Sequence, residues 1–294
     1  DGSVLSWMPG GLGLLLILGG MMTSVEHLTG YPLMQWVSER QAGDPWLGNK
    51  YNRTEVLLAA CYLPVLWMIF HMPQSKRFRY IFVGILSLVM FFAIYLSHSQ
   101  TSQLGLIVIL AVFVLWPARW TWAWHLAAAA LAISILLAPF IAVMLYHMMP
   151  EDLVPTGILA KASIPHRLVI WHFTAMEALA RPFFGHGLEA LRFLRTETPM
   201  PYINSTHILH PHNSFLQIWV EMGLAGAVMG TIFILRVMAR IKNFGSYGSQ
   251  KLGMAMLAGC LMISLTGFGF WQGYQMGLYN LLAALSIRAV RMTT

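Results

Sequence analysis

The sequence predicts an all-α polytopic membrane protein, and three observations support this. Only 10% of the 294 residues are charged and 57% are hydrophobic, whereas soluble domains carry about 25% charged residues. The mean hydropathy is +0.64. Apolar segments long enough for membrane-spanning helices recur along the whole chain. This composition excludes a soluble two-domain enzyme, a disordered chain and a disulfide-stapled secreted protein, and the scattered basic residues disfavour nucleic-acid binding.

About eight transmembrane helices are expected, because a helix needs roughly 20 apolar residues to cross the hydrocarbon core. The candidate segments are residues 4–22, 54–72, 80–97, 103–116, 120–149, 214–235, 252–266 and 272–287. Gly267, Gly269 and Gly273 mark the break between the last two. We therefore expect membrane helices one to five with short loops over 1–149, a loop over 150–213, and membrane helices six to eight over 214–294.

The distribution of Lys and Arg predicts the orientation of these helices. The linkers and tail on one side hold ten Lys or Arg and no acidic residue in 34 residues. The opposite linkers hold eight in about 105 residues, so the first side is cytoplasmic by the positive-inside rule. In a Gram-negative bacterium this places the chain in the inner membrane, with the 150–213 loop and the active face in the periplasm.

Metal chemistry is not expected from the motifs. The chain has no DxD, HExxH, GxSxG, Walker or CxxC pattern. His210 and His212 could form a metal pair, but a third ligand of obvious type is missing nearby. We therefore predict no metal and no cofactor, and we expect His, Arg and helix termini to carry the chemistry. Glu221, two turns inside the sixth span, needs a partner for its lone carboxylate.

The 150–213 loop contains the most informative segment. In residues 165–180, apolar side chains recur with the spacing of a helix, which predicts an amphipathic helix ended by Pro182. Arg167 and Trp171 fall on one face of this helix, away from the apolar face. This helix either lies on the bilayer interface or caps a site into which Arg167 points, and both can hold at once. Just before the sixth span, Asn213 or Ser214 can cap the new helix.

The field of that helix N-terminus disfavours an imidazolium, so we expect His212 to stay neutral and available as a base.

Two spaced motifs resemble a known family. The pattern H-N-x-x-L-x-x-x-x-E-x-G-x-x-G from His212 is similar to the signature of the O-antigen ligase and O-antigen polymerase superfamily. The patterns R-x-x-x-W at Arg167 and P-F-F-G-x-G at Pro182 resemble the earlier half of the same outer loop. The resemblance covers the chain from about residue 80 to its end. Family members usually have around a dozen spans, so we expect several early spans to be missing here.

The resemblance implies a GT-C-like helical, metal-independent glycan transferase. Its donor would be a glycan on undecaprenyl diphosphate, presented at the outer leaflet. Ligases of the superfamily move the glycan to lipid A-core, polymerases move it to another lipid-linked repeat unit, and related proteins move it to Ser or Thr of a protein. We expect the ligase reaction, with polymerisation of O-antigen or exopolysaccharide as the alternative.

One departure from the family pattern concerns the outer start of a span. Family members often show Ser-Arg-Gly there, and the Arg helps to hold the diphosphate. This chain has Ser99-Gln100-Thr101 instead. Arg53, at the mouth of the second span, is a candidate substitute for the missing cation, although an interfacial anchor is the ordinary explanation for it.

Residue roles follow from the two demands of the reaction. Arg167 would bind the departing diphosphate, because its planar fork contacts two phosphate oxygens and keeps its charge. His212 would accept the proton of the acceptor hydroxyl, and direct attack on C1 would invert the anomeric centre. Glu221 and Trp171 are expected to support these groups. Further candidates for substrate binding are Arg53, His98, Gln100, His210 and Asn213.

Two functions of other classes remain open on the sequence. A transporter for the same lipid-linked glycan needs a continuous polar groove, of which the spans show little sign. A non-catalytic membrane scaffold is possible if the missing early spans and the Ser99-Gln100-Thr101 change abolish activity.

Overall fold

The computed structural model describes residues 2–44, 46–150, 163–267 and 269–292, and every regular element in those ranges is helical. The α-helices are α1 (Gly2–Thr29), α2 (Pro32–Ser38), α3 (Trp46–Phe70), α4 (Lys76–Leu96), α5 (Gln100–Leu115), α6 (Thr121–Leu136), α7 (Ala138–His147), α8 (Ile164–Ala180), α9 (Ser214–Lys242), α10 (Tyr247–Thr266) and α11 (Gly273–Arg291). A short 3₁₀ helix covers Ala190–Arg192. The predicted all-helical class agrees with these elements.

Two compact units divide the chain. The first unit contains residues 1–117, 244–263 and 276–294, and the second contains residues 118–243 and 264–275. Within the expected 150–213 loop, the structure has the helix α8, which begins one residue before the predicted segment and ends at Ala180. Residues 151–162 of that loop lie outside the described part of the chain.

Several helices have the length and composition of membrane spans. Four described helices qualify, namely Trp7–Thr29 of α1, α3, α4 and α9. The bent pair α6 and α7 makes a fifth candidate if it counts as one span, and α5 is apolar but shorter. The chain is thus a multi-pass helical membrane protein, while the finer number of eight spans stays a prediction.

The fifth predicted span, residues 120–149, is not one straight helix. It breaks at Leu137 into α6 and α7, whose axes differ by 74°. Pro139 near the start of α7 lacks a backbone N–H and so cannot continue the hydrogen-bond ladder of α6. The break leaves carbonyls at the end of α6 without helical partners, and the buried Trp219 Nε1 donates to the Ile135 oxygen at 2.8 Å.

In the first unit, α3 is the central helix. It packs against α1, α4 and α5. Ala60, Leu63 and Met68 are almost completely buried. A helix that is apolar on several faces can be surrounded by other helices or by lipid, and α3 has the three helices α1, α4 and α5 as neighbours.

In the second unit, α9 packs against both α6 and α8, and α7 packs against α8. Gly223 interrupts α9 with φ 61° and ψ −154°, which divides the helix into an outer limb, residues 214–222, and an inner limb, residues 224–242. This backbone conformation lies outside the range that side-chain-bearing residues favour, so glycine suits the break.

Candidate active site

Arg167 is positioned by α8. Its guanidinium nitrogens Nη1 and Nη2 both donate to the Thr266 carbonyl oxygen, each at 3.1 Å. The side chain is partly buried, and burial lowers the pKa of Arg167 from its ordinary value. A guanidinium has five N–H donors, so the groups beyond these two can bind an anion.

His212 occupies a strained turn directly before α9. Its φ is 51°, in the left-handed region that residues other than glycine seldom adopt. Its Nδ1 lies 2.8 Å from the Gly267 carbonyl oxygen. Because a carbonyl only accepts hydrogen bonds, Nδ1 carries the proton in this arrangement and Nε2 carries the lone pair.

Electrostatics favour the neutral form of His212. Burial lowers the pKa of His212, and the positive charge of Arg167 lowers it further, while the hydrogen bond to Gly267 acts in the opposite direction. The net shift is downward, so the imidazole is neutral at pH 7. A neutral ring with a fixed tautomer is the form that can accept a proton.

The end of α10 explains why these two side chains converge. The last carbonyls of any helix lack partners inside that helix. Here the Ser264 carbonyl accepts from Ser214 Oγ at 3.0 Å. The carbonyls of Thr266 and Gly267, which follow along the chain, accept from Arg167 and His212. Arg167 and His212 are therefore bound to consecutive residues, which is how residues from different helices come together.

Trp171 and Asn213 hold the backbone around His212. Trp171, one turn after Arg167 on α8, donates from Nε1 to the Pro211 carbonyl at 3.0 Å. Asn213 Oδ1 accepts from the backbone N–H groups of Phe215 at 3.0 Å and Leu216 at 3.2 Å, which caps α9. The substrate-binding role of Asn213 stays a prediction.

His210 lies beside His212, with ring centroids 4.2 Å apart. Burial, followed by the charges of His212 and Arg192, lowers the pKa of His210 to about 4. His210 is therefore neutral at pH 7, as His212 is, and its role in substrate binding stays a prediction.

Glu221 fixes the segment that follows α10. One of its carboxylate oxygens accepts from Gln217 Nε2 at 3.0 Å and from the Glu189 backbone N–H at 3.1 Å. The other accepts from Trp271 Nε1. Gln217 Oε1 also accepts from the Phe270 N–H at 2.8 Å. Glu221 thus has side-chain and backbone partners, and one of them, Trp271, lies in the segment between α10 and α11 that also contains the Gly267 carbonyl bound by His212.

The other substrate-binding candidates belong to the first unit. Arg53 and His98 are exposed, and Gln100 is the first residue of α5. Ser99 Oγ caps α5 by accepting from the Ser102 N–H at 3.3 Å. The structure therefore does not collect these three candidates and Arg167 in one compact unit, and their roles stay predictions.

A second polar cluster, which we call the first-unit cluster, consists of Glu26, His27, Tyr31, Tyr51, Glu55 and Ser97. His27 Nε2 lies 2.5 Å from Glu55 Oε1 and His27 Nδ1 lies 2.8 Å from the Tyr31 hydroxyl. Ser97 Oγ donates to the other Glu55 oxygen. Tyr51 donates to Glu26 at 2.8 Å, and Glu26 also accepts two N–H groups at the start of α2.

Comparisons with known proteins decide the family. The sequence profile described as "O-Antigen ligase" matches residues 85–231, which is half of the chain. The chain belongs to the O-antigen ligase family. The matched region contains Arg167, Trp171, His212 and Glu221, but it ends before Thr266, Gly267 and Trp271, which bond to Arg167, His212 and Glu221 in turn.

Curated relatives of this O-antigen ligase family member come from Rickettsia. A protein of Rickettsia conorii is 27% identical over 192 residues, which cover 64% of this chain and 46% of the relative. A protein of Rickettsia prowazekii is 26% identical over 200 residues, covering 64% and 47%. Both carry the name "Putative polysaccharide ligase". The chain spans about half the length of these relatives.

Sequence reasoning missed several residues of this O-antigen ligase family member. Gln217 could have been found, because it stands one helical turn before Glu221 and its amide needs a partner inside the span. The carbonyls of Thr266 and Gly267 carry no sequence signal, since a backbone group looks the same at every position. The sequence separation between Trp271 and Glu221 does not identify them as a pair either. The acids of the first-unit cluster stand at the ends of apolar segments, but their spacing does not identify their partners.

Proposed function

We propose that this protein is a membrane glycosyltransferase that moves a glycan from undecaprenyl diphosphate to a hydroxyl of an acceptor, lipid A-core, at the periplasmic face. The family and the names of the relatives support transfer of a polysaccharide. The excess of basic residues in the short linkers supports the periplasmic placement of α8 and the His212 turn. Eight spans in a GT-C-like arrangement, in the bacterial inner membrane, complete the proposal.

The observation that carries the proposal is the pair of Arg167 and His212 on consecutive carbonyls. It combines a permanent cation with a neutral imidazole whose tautomer is fixed by Gly267. A donor with a diphosphate leaving group needs a cation, and an acceptor hydroxyl needs a base. Both groups bond to the adjacent residues Thr266 and Gly267.

In the proposed reaction His212 Nε2 accepts the proton of the acceptor hydroxyl while the oxygen of that hydroxyl forms a bond to C1 of the donor sugar. The bond between C1 and the phosphate oxygen breaks, and the lipid diphosphate leaves with the bonding electrons. Free N–H groups of Arg167 bind the charge that develops on the diphosphate. Because attack and departure occur on opposite faces of C1, the anomeric configuration inverts.

Glu221 and Trp171 act through other residues in this proposal. Glu221 holds Trp271 and, with Gln217, the break after α10. Trp171 holds the Pro211 carbonyl beside His212. Each of these two residues holds in place a backbone segment that orients Arg167 and His212.

The decisive experiment measures glycan transfer by the chain reconstituted in vesicles with a lipid-linked glycan donor. We expect His212→Ala to lower the rate by about 10²–10⁴, the usual contribution of a positioned base. His207, an exposed histidine of the same loop, provides the matched control His207→Ala, which should keep the wild-type rate. Wild-type transfer by His212→Ala would remove His212 from the reaction.

An EDTA arm of the same assay tests whether Arg167 takes the place of a divalent cation. We expect the wild-type rate to be unchanged by EDTA, because the proposed scheme assigns the diphosphate charge to a side chain. Loss of transfer in EDTA, with recovery on adding Mg²⁺, would contradict that assignment.

A further inference from the structure

The loop before the 3₁₀ helix exposes two large aromatic side chains although its backbone is firmly held. Phe183 is 68% exposed and Phe184 is 81% exposed. Exposed neighbouring aromatics on an ordered loop indicate a surface that contacts something apolar. The position of this loop on α9 identifies the contact.

The loop replaces the hydrogen bonds that α9 loses at Gly223. In an unbroken helix the N–H groups of Leu224 and Ala225 would bond the carbonyls of Val220 and Glu221. Here Leu224 N donates to the Pro182 carbonyl at 2.7 Å and Ala225 N donates to the Phe183 carbonyl at 3.2 Å.

The freed carbonyls of α9 are occupied by the same loop. Val220 O accepts from the His186 N–H at 2.8 Å, and Glu221 O accepts from the Gly187 N–H at 2.9 Å. Gly185 permits this approach, because a Cβ at Gly185 would lie 2.4 Å from the Glu221 carbonyl carbon. The four α9 groups freed by the break are thus satisfied, as a helix at membrane depth requires.

The depth of the break follows from the basic residues on the inner limb of α9. Gly223 precedes Arg236 by about 20 Å of helix and Arg240 by about 26 Å, at ~1.5 Å per residue. The hydrocarbon core is ~30 Å thick, and basic side chains mark the end of a span. Both distances are shorter than the thickness of the core. If either arginine marks the cytoplasmic boundary of the hydrocarbon core, Gly223 therefore lies within the core, below its periplasmic boundary.

We propose that residues 182–187 form a re-entrant loop that enters the outer leaflet of the bilayer, where Phe183 and Phe184 contact the acyl chains of membrane lipids. The backbone bonds to Leu224 and Ala225 put these rings at the level where the apolar face of the inner limb begins. Met229 and Phe233 continue that face, at 62% and 68% exposed. The loop ties the end of α8, and with it Arg167, to a fixed depth in the membrane.

The test is electron paramagnetic resonance of a nitroxide placed on the loop. Cys61 and Cys260 are first replaced by alanine, and the chain with Phe184→Cys, labelled and reconstituted in phosphatidylcholine vesicles, is measured in oxygen and in a nickel chelate. Oxygen concentrates in hydrocarbon and the chelate stays in water. We expect relaxation of the label by oxygen to exceed relaxation by the chelate.

Two further positions calibrate the measurement. Met229→Cys should report hydrocarbon, and Thr198→Cys, at an exposed position of the outer loop, should report water. A label at Phe184 that behaves like Thr198, or one that neither reagent reaches because protein covers it, overturns the proposal. Phe183→Cys repeats the test if the first variant does not fold. The result is independent of glycan transfer, so it is separate from the proposed function.

Discussion

Each of the two units contains a histidine with a hydrogen-bonded ring nitrogen, but the groups around the two histidines differ. In the first-unit cluster, His27 meets the carboxylate of Glu55, and a second buried carboxylate, Glu26, lies among N–H and hydroxyl donors. In the second unit, His212 and Arg167 meet only backbone carbonyls in the bonds just described. A carboxylate cancels a positive charge, whereas a carbonyl satisfies an N–H group without cancelling its charge.

Under the proposed function, this difference favours the second unit for binding an anionic substrate. The first-unit cluster brings its own negative charges, and they tie α1, α2 and α3 together. In the described ranges no ion pair joins Arg167 to a carboxylate, so its charge is available to a diphosphate. We therefore expect changes at Arg167 and His212 to act on transfer and changes in the first-unit cluster to act on stability.

The largest expected effect is that of Arg167→Lys on transfer. A lysine keeps the charge but loses the planar guanidinium, which bonds the Thr266 carbonyl and can bind phosphate at the same time. The rate of transfer should therefore fall about 10²–10³-fold, as when an oriented donor is lost. The rate of glycan transfer in vesicles measures this. Arg195→Lys, at an exposed arginine of the same loop, is the control and should keep the rate. Full activity of Arg167→Lys would make Arg167 a structural residue.

The next effect concerns the break in α9. Gly223→Ala places a side chain at φ 61°, and its Cβ would lie 2.5 Å from the Phe183 carbonyl carbon. We expect the free energy of unfolding to fall by about 2–4 kcal/mol, from backbone strain together with overpacking against a fixed loop. Thermal unfolding in detergent measures the change. Gly230→Ala, on the same helix but with its nearest atom 3.6 Å from the new Cβ, should be tolerated. Equal stability of the two variants would contradict the interlocked loop.

Particular residues show how far the sequence determines this site. The helical period of residues 165–180 and Pro182 predict α8 closely, because both act within one segment. The same period predicts that Arg167 and Trp171 share a face. The carbonyls of Thr266 and Gly267 were not predictable, since their role depends on where α10 ends and on which side chains reach that end.

The fold shows the same limit. Apolar segments predict helices of the right class and approximate position, since burial in lipid depends on composition. The bend at Leu137 was missed, because Pro139 is compatible with either a kinked span or a new helix. The first-unit cluster was missed as well: Glu26, His27 and Glu55 stand on different helices, and no periodicity links them.

A smaller effect, on stability, distinguishes the first-unit cluster. Glu55→Gln keeps the shape of the side chain but replaces a carboxylate oxygen with an amide that cannot accept from its present donors. We expect a loss of about 1–3 kcal/mol of unfolding free energy, the cost of unsatisfied buried polar groups. Thermal unfolding measures it, with the exposed Glu39→Gln as control. An unchanged melting temperature would show that the bonds to His27 and Ser97 contribute nothing to stability.

The smallest expected effect is a shift in pH dependence, and it joins Arg167 to His212. The proposed base is neutral His212, whose pKa lies below its ordinary value of 6.5 because of burial and the charge of Arg167. The inflection in transfer should therefore lie below pH 6.5, where the imidazole takes up a proton and the rate declines as the pH falls further. A profile of kcat/KM against pH measures this inflection.

Replacing Arg167 by glutamine separates the two causes of that low pKa. Arg167→Gln removes the positive charge but leaves His212 buried, so the inflection in its residual activity should move upward, toward 6.5, without reaching it. His207→Ala should leave the inflection in place. An inflection that stays fixed in Arg167→Gln would mean that burial alone sets the pKa of His212, and one that moves downward would mean that the titrating group is a different residue. The upward shift is the result expected only if the guanidinium and the imidazole act on each other across the consecutive carbonyls that hold them.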